Sequence, residues 1–201
     1  MAVQQRRERE RAERHRLIVA AARELAEAEG WPAVTTRRLS ERVEYSQPVL
    51  YSHFTSKDAI VAAVALEGFA ELATVLRAAR GGAGTGARAA LRALADAYLD
   101  FARTRPAVYA AMFVHRTDVE FDGEASPAPL KESFAEFLGA LEPVAADRGE
   151  DPATLAEVFW GTLHGLAALA EHDRLRPDHH RARVELLLGR MATGPDGRDG
   201  G

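Results

Sequence analysis

Apolar residues recur along the chain at three- and four-residue intervals, and β-branched alternation of the kind that marks a half-buried strand is absent, so helix is the reading of nearly every segment. The first helix is predicted over 7–29, with Leu17, Ile18, Ala21, Ala22 and Leu25 on one face and Gly30 as its stop before Trp31-Pro32. Thr35 is placed to cap a short helix over 36–43, and a second short helix over 47–53 carries Pro48 in its first turn, where a missing N–H costs nothing. Thr55-Ser56 can cap a long helix over 57–80, whose Ile60, Val61, Val64, Leu72, Val75 and Leu76 keep helical spacing. Beyond the breaker GGAGTG come helices over 87–104 and 106–114, a polar loop over 116–129, and three last helices over 130–147, 152–173 and 178–191. The expected fold is all-α with about nine helices, and the tail over 193–201, TGPDGRDGG, is expected to be disordered.

The composition supports a folded chain: 47% of the 201 residues are apolar and 28% charged. The absence of cysteine removes disulfides, thiolate nucleophiles and Cys-type metal sites, and suits a reducing compartment. The start MAVQQRRERERAERHR lacks the apolar core of a secretory signal, and no stretch is expected to reach the ~18 apolar residues of a membrane span, which points to a cytoplasmic protein with no membrane partner. A net charge of −4 argues on its face against nucleic acid. Its distribution reverses that: residues 1–57 hold 11 Arg+Lys against 8 Asp+Glu, and residues 58–201 hold 15 against 22. A positive module on an acidic body is suited to docking one end on a polyanion.

The segment TTRRLSERVEYSQPVLYSHFTSK, 35–57, fits two helices crossing over a three- or four-residue turn, with Leu39, Val43, Leu50 and Phe54 turned inward. In such a unit the second helix enters the major groove of DNA and the first holds the backbone. The residue types suit that task. Gln47 can pair bidentately with adenine, Pro48 and Val49 can lie against a thymine methyl, and Thr36, Arg37, Tyr51, His53 and Lys57 can donate to phosphate or base. With Gly30, capping Thr35, and Tyr51-x-His53-Phe54 followed by Lys57, the stretch resembles the DNA-reading head of the TetR family. The resemblance implies that Thr36, Arg37, Gln47, Pro48, Val49 and Tyr51 lie on the base-reading surface and adjacent backbone, with His53 and Lys57 on phosphate. One departure stands out: the family's Ala-Gly-Val turn is here Val43-Glu44-Tyr45, which sets a glutamate where positive φ is often required, at a cost of order 1 kcal/mol. Arg6, Arg7, Arg9, Arg11, Arg14 and Arg16 resemble the arms with which some members reach the minor groove or backbone, although interleaved Glu8, Glu10 and Glu13 can neutralise several of them.

The rest of the chain carries a Trp-Gly-x-x-His-Gly run within FWGTLHGLAAL, 159–169, and PAVYAAMFVH, 106–115, both similar to the family's WHG-type regulatory domain. The resemblance implies a homodimer formed by the last two helices, for which Leu155, Leu163, Val184, Leu187, Leu188 and Met191 offer seams. It also implies a cavity for a small-molecule effector, with Phe69, Tyr98, Phe101, Met112, Phe113, Phe134, Phe137 and Trp160 as candidate walls and His115 and His164 as polar anchors. An aromatic at helical spacing serves a plain core equally well. Two other readings compete with this one: an enzyme, and a helical dimer that has lost DNA binding. The enzyme lacks its constellations, since HExxH, a phosphate loop and GxSxG are absent, adjacent His179 and His180 point about 100° apart, and His164 and His172 stand too far apart to chelate together. Against an idle head stand Gln47, Tyr51, His53 and Lys57 in one unit. The expectation is therefore a cytoplasmic repressor that binds a near-palindromic double-stranded DNA operator, with head 1–57, regulatory and dimerisation body 58–192, and no cofactor, metal or catalytic residue.

Overall fold

A computed structural model describes residues 1–115 and 126–192, so most of the polar loop expected after 116 and the tail expected over 193–201 lie outside the described residues. Nine α-helices and no strand occur among them: α1 Ala2–Glu29, α2 Thr36–Val43, α3 Gln47–His53, α4 Lys57–Gly81, α5 Ala87–Thr104, α6 Pro106–Phe113, α7 Ala128–Arg148, α8 Pro152–Glu171 and α9 His180–Ala192. Most boundaries fall within two residues of those predicted. The exception is α1, which begins five residues earlier, because Gln, Arg and Glu are good helix formers and same-helix partners such as Arg6 and Glu10 support the added turns. Leu17, expected on the buried face, is 48% exposed, while Ile18, Ala21, Ala22 and Leu25 are buried. The α8 and α9 limits move inward because Asp173 and Asp178 take left-handed φ of 52° and 60°, which no helix residue can hold.

The chain divides into two compact units, 1–68 with 105–125 and 69–104 with 126–201, the division falling inside α4. In the first, α1 packs against α2, α6 and a single 3₁₀ turn, Trp31–Ala33. Trp31 is buried and donates its indole N–H to the Ala107 carbonyl at 2.8 Å. The Glu27 carboxylate accepts from the backbone N–H groups of Ala107 and Val108 at 3.2 and 3.3 Å, meeting orphan donors of the first turn of α6. Gly68 lets α4 and α6 approach closely: a Cβ there would stand 2.6 Å from Val108 Cγ1 and 2.8 Å from Met112 Sδ. In the second unit α7 packs on α8, and α5 on α7, α8 and α9. Buried Glu136 of α7 accepts from Arg77 at 3.0 Å and Arg80 at 2.8 Å, so its charge is met from two sides.

The membrane expectation needs one correction: α4 is long and apolar enough by composition to cross a bilayer. Its Ile60, Val61, Val64, Phe69, Leu72 and Leu76 are instead buried in the fold, as in a core helix.

Candidate nucleic-acid interface

The α2–turn–α3 unit is built by short-range chemistry. The Thr35 hydroxyl accepts from the Arg38 N–H at 3.3 Å and starts α2, and Glu44 ends it in the left-handed conformation, φ 56° and ψ 32°, as expected at the turn. Leu39, Leu50 and Phe54 are buried beneath the unit, while Val43 is half-buried. That burial fixes which face of α3 is left to solvent: Gln47 and Pro48 are exposed, Val49 is half-buried and Tyr51 is 51% exposed. On α2, Arg37 is exposed and pairs loosely with Glu41 of the next turn, Nε to Oε1 3.0 Å, while Thr36 is half-buried.

Two neighbours of these residues serve the scaffold. Arg38 makes a two-pronged bond to Glu29 with both N···O distances 2.7 Å, and Arg42 reaches Glu24 at 2.8 Å, so both guanidinium groups tie α2 to α1. Their i,i+4 spacing is the only sign of this in the sequence. Lys57 is also engaged: its Nζ donates to the Trp31 carbonyl at 2.6 Å, which joins the start of α4 to the 3₁₀ turn and leaves the other N–H groups of the ammonium for an anion. His53 is half-buried at the end of α3. Burial holds its pKa below the ordinary imidazole value, and the charges of Arg14 and Arg11 and the neighbouring His15 push the same way.

The residues expected to line an effector site fall into both units. In the first, Met112 is buried over Gly68, Phe113 meets Tyr109 with centroids 4.8 Å apart and ring planes tilted by 55°, and His115 meets Trp31 edge-on at 5.4 Å. In the second, a chain of rings comes together: Trp160 donates its N–H to the Tyr98 hydroxyl at 3.1 Å and meets Phe134 at 6.3 Å, and Phe137 bridges Tyr98 and Phe159 at 5.9 and 6.0 Å. Phe69, Tyr98, Phe101 and Phe137 are wholly core, whereas Phe134, Trp160 and His164 are half-buried, and burial holds the His164 imidazole below its ordinary pKa and hence neutral near pH 7. Among the described residues no group of three His, Cys, Asp or Glu side chains could hold a metal ion.

The seam residues require a correction. Leu155, Leu163, Val184, Leu188 and Met191 are buried within the chain's own second unit and Leu187 is half-buried, so the first five offer no surface to a partner. Helical periodicity finds an apolar face without saying what covers it, and here α5 and α7 do. The exposed apolar positions on these helices are Val158, Leu169 and Leu186. On α8, Val158, Thr162, Gly165 and Leu169 share one stripe, and on α9 Ala182, Leu186 and Gly189 another. On both helices large side chains alternate with small ones on the face opposite the core.

Two family models match the chain: "Bacterial regulatory proteins, tetR family" over residues 18–64, and "Tetracyclin repressor-like, C-terminal domain" over residues 91–191. The chain belongs to the TetR family. Members are transcriptional regulators that bind DNA through a helix-turn-helix, and α2 and α3 supply it here. The TetR-family chain is 29% identical over 152 residues to the HTH-type transcriptional regulator Rv0681 of Mycobacterium tuberculosis, a match covering 76% of this chain and 67% of that protein. Its fold is similar to a Rhodococcus protein of unknown function, with TM-score 0.72, 25% identity, and 89% and 95% of the two chains covered. It is also similar to the transcriptional regulator FadR from Bacillus subtilis in complex with stearoyl-CoA, with TM-score 0.66, 14% identity, and 86% and 96% covered.

Proposed function

We propose that this TetR-family regulator is a cytoplasmic homodimeric repressor that reads a near-palindromic operator with α3 and is released from it by a small apolar effector. The observation that carries the reading is the outward face of α3: Gln47, Pro48 and Tyr51 stand in solvent while Leu50 and Phe54 hold the helix down. An exposed proline, glutamine and tyrosine in one turn and a half add nothing to the core, and they suit base edges, a thymine methyl and a phosphate. Thr36 and Arg37 would flank them from α2, and His53 and Lys57 would close on phosphate. The exposed stripes of α8 and α9 support the dimer, since each would place small residues opposite large ones in a two-fold four-helix packing. Two heads related by that axis would read half-sites whose centres lie about 34 to 36 Å apart or somewhat more.

The effector would enter beside Phe134, Trp160 and His164, the half-buried members of the ring cluster, where a neutral imidazole offers one donor and one acceptor in apolar surroundings. A hundredfold loss of operator affinity requires about 2.7 kcal/mol of differential effector binding. The stearoyl-CoA bound by the Bacillus protein of similar fold carries an apolar acyl chain of the kind such a ring cluster could accept, and does not name the effector here.

Selection of bound duplexes from a genomic pool, followed by affinity for the enriched site across a salt series, tests the reading. A near-palindrome bound by a dimer far more tightly than bulk DNA is the expected result. Failure to enrich any sequence at low salt overturns it.

A further inference from the structure

The chain leaves α1 through Gly30, whose φ of 81° and ψ of 161° are open to glycine and strained for any other residue. Trp31 follows this bend with its side chain buried, and Pro32 stiffens the 3₁₀ turn. Trp31 is then held through both its ring and its backbone. Its indole N–H donates to the Ala107 carbonyl at 2.8 Å, and the His115 ring meets it edge-on at 5.4 Å. Its own carbonyl accepts from the Val34 N–H at 3.2 Å and from Lys57 Nζ at 2.6 Å, which occupies both lone pairs of that oxygen.

The first turn of α6 is gripped in the same place from two sides. The Ala107 N–H donates to Glu27 Oε2 at 3.2 Å and the Val108 N–H to Glu27 Oε1 at 3.3 Å, while the Ala107 carbonyl takes the indole proton. Glu27 and Trp31 stand four residues apart, so one end of α1 meets both the donors and the acceptor of this turn. Ala107, Val108 and Trp31 are buried, where an unmet N–H or carbonyl is costly, and the ring of bonds is correspondingly stiff. Lys57 hangs on it. The residue is half-buried at the start of α4 and pairs with no carboxylate among the described residues. Its long flexible stem would otherwise leave the ammonium free to wander, so one N–H fixed on a rigid carbonyl orders the group before any anion arrives.

We propose that Trp31 and Glu27 are positioning residues for DNA binding: through the first turn of α6 they fix the Trp31 carbonyl, and that carbonyl aims the Lys57 ammonium at a backbone phosphate. The inference rests on the reading of Lys57 as a phosphate donor. Neither positioning residue touches DNA. Their effect is carried by one hydrogen bond, from Lys57 Nζ to the Trp31 carbonyl, and leaves two N–H groups of the ammonium for phosphate oxygens. The strength of a contact made from the start of α4 then depends on Ala107 and Val108, which belong to the same compact unit as α2 and α3. The head expected over 1–57 is incomplete without α6.

A double-mutant cycle on the full chain tests this. Trp31→Phe keeps an aromatic ring and removes the indole N–H. Glu27→Ala removes a carboxylate from an exposed position, so it carries the test where Trp31→Phe lowers stability. Each is combined with Lys57→Ala, and affinity is measured over a salt series for a duplex enriched by the wild-type protein and for a random duplex. Circular dichroism and thermal unfolding report the folded fraction of every variant. Lys57→Ala is expected to weaken both duplexes about tenfold at ~0.15 M salt and to lower the salt slope by about 0.9 per subunit. Trp31→Phe and Glu27→Ala are expected to weaken both about three- to tenfold with a lowered slope and unchanged base preference, yet to change affinity less than about twofold once Lys57 is alanine. Glu27→Gln, which keeps one acceptor oxygen, should fall between Glu27→Ala and wild type. A loss as large in the Lys57→Ala background as in wild type, or stability lost with the affinity of the folded fraction intact, overturns the positioning role. If Lys57→Ala itself alters neither affinity nor slope, the reading of Lys57 fails, and its positioning falls with it. The random duplex decides both points even where no sequence is enriched, because a phosphate contact carries no base preference.

Discussion

The side chains that distinguish the two units are placed in opposite ways. In the unit holding α2 and α3, Gln47, Pro48, Arg37 and Tyr51 face solvent, and the fold under them is kept by Leu39, Leu50, Phe54 and Trp31. In the other, the candidate effector walls Phe69, Tyr98, Phe101 and Phe137 are fully interior. The difference teaches where short motifs are informative. An exposed glutamine or tyrosine is not required by packing, so its place in the motif points to a partner. A buried ring satisfies the core first, and any second use is hidden behind that.

The largest effect expected from breaking this comparison is in the second unit. Phe159→Ala removes a fully buried ring beside Phe137 and should cost about 3 to 5 kcal/mol of stability, read as a lowered denaturant midpoint. Selectivity among DNA sequences should be unchanged in whatever fraction stays folded. A change in base preference without loss of stability would mean that the division of labour is wrong.

Next comes the surface that α8 and α9 leave open. Leu186 is 66% exposed, so Leu186→Glu leaves the protomer core intact but in the proposed dimer sets two carboxylates near the dyad, at several kcal/mol of dimer affinity. Sedimentation should show folded monomer, and operator affinity should collapse with it. A dimer that survives this change would move the interface to another face.

The helices themselves were legible because their makers are local: Thr35 as cap, Pro48 in a first turn, Gly30 as a stop, and apolar residues at three- and four-residue spacing. Which side chains of α3 face solvent was legible for the same reason, since two seven- or eight-residue helices with three inward side chains leave little choice of what faces out. The role of Trp31 was not, because its partner, the Ala107 carbonyl, lies 76 residues away and belongs to the backbone, which carries no side-chain signal. Nor were the parts of Arg38 and Arg42, whose carboxylate partners sit on α1 among many other glutamates. The seam went astray because periodicity marks both apolar stripes of α8 and cannot tell the one covered by α5 and α7 from the one left open.

On the exposed side of the comparison, Gln47→Ala should leave stability within about 0.5 kcal/mol and cost about 1 to 3 kcal/mol on the preferred duplex, with relaxed base preference. Equal losses on every sequence would remove Gln47 from base readout. A smaller gain is expected at the turn. Glu44 holds φ 56°, so Glu44→Gly relieves the left-handed strain, partly offset by the added freedom of the unfolded chain. The net should be a rise of about 0.5 to 1 kcal/mol in stability, together with tighter DNA binding through loss of a carboxylate beside α3.

The smallest effect, and the most diagnostic for where the head meets DNA, is the response to pH. Burial, and then Arg14, Arg11 and His15, hold the folded His53 pKa below that of the unfolded chain. The unfolded state therefore binds more protons as pH falls below about 6.5, and the stability owed to neutral His53 is present above that value and lost as pH drops toward the folded pKa. A phosphate at the same imidazole favours the charged form and raises its pKa in the complex. Acidification should thus weaken the fold while tightening DNA binding a few-fold, two opposite signs from one group. In His53→Gln both trends should flatten, which separates this imidazole from His15 and the other histidines. If the variant keeps the full pH response of DNA binding, His53 does not sit on phosphate, and the contact must be sought at Lys57.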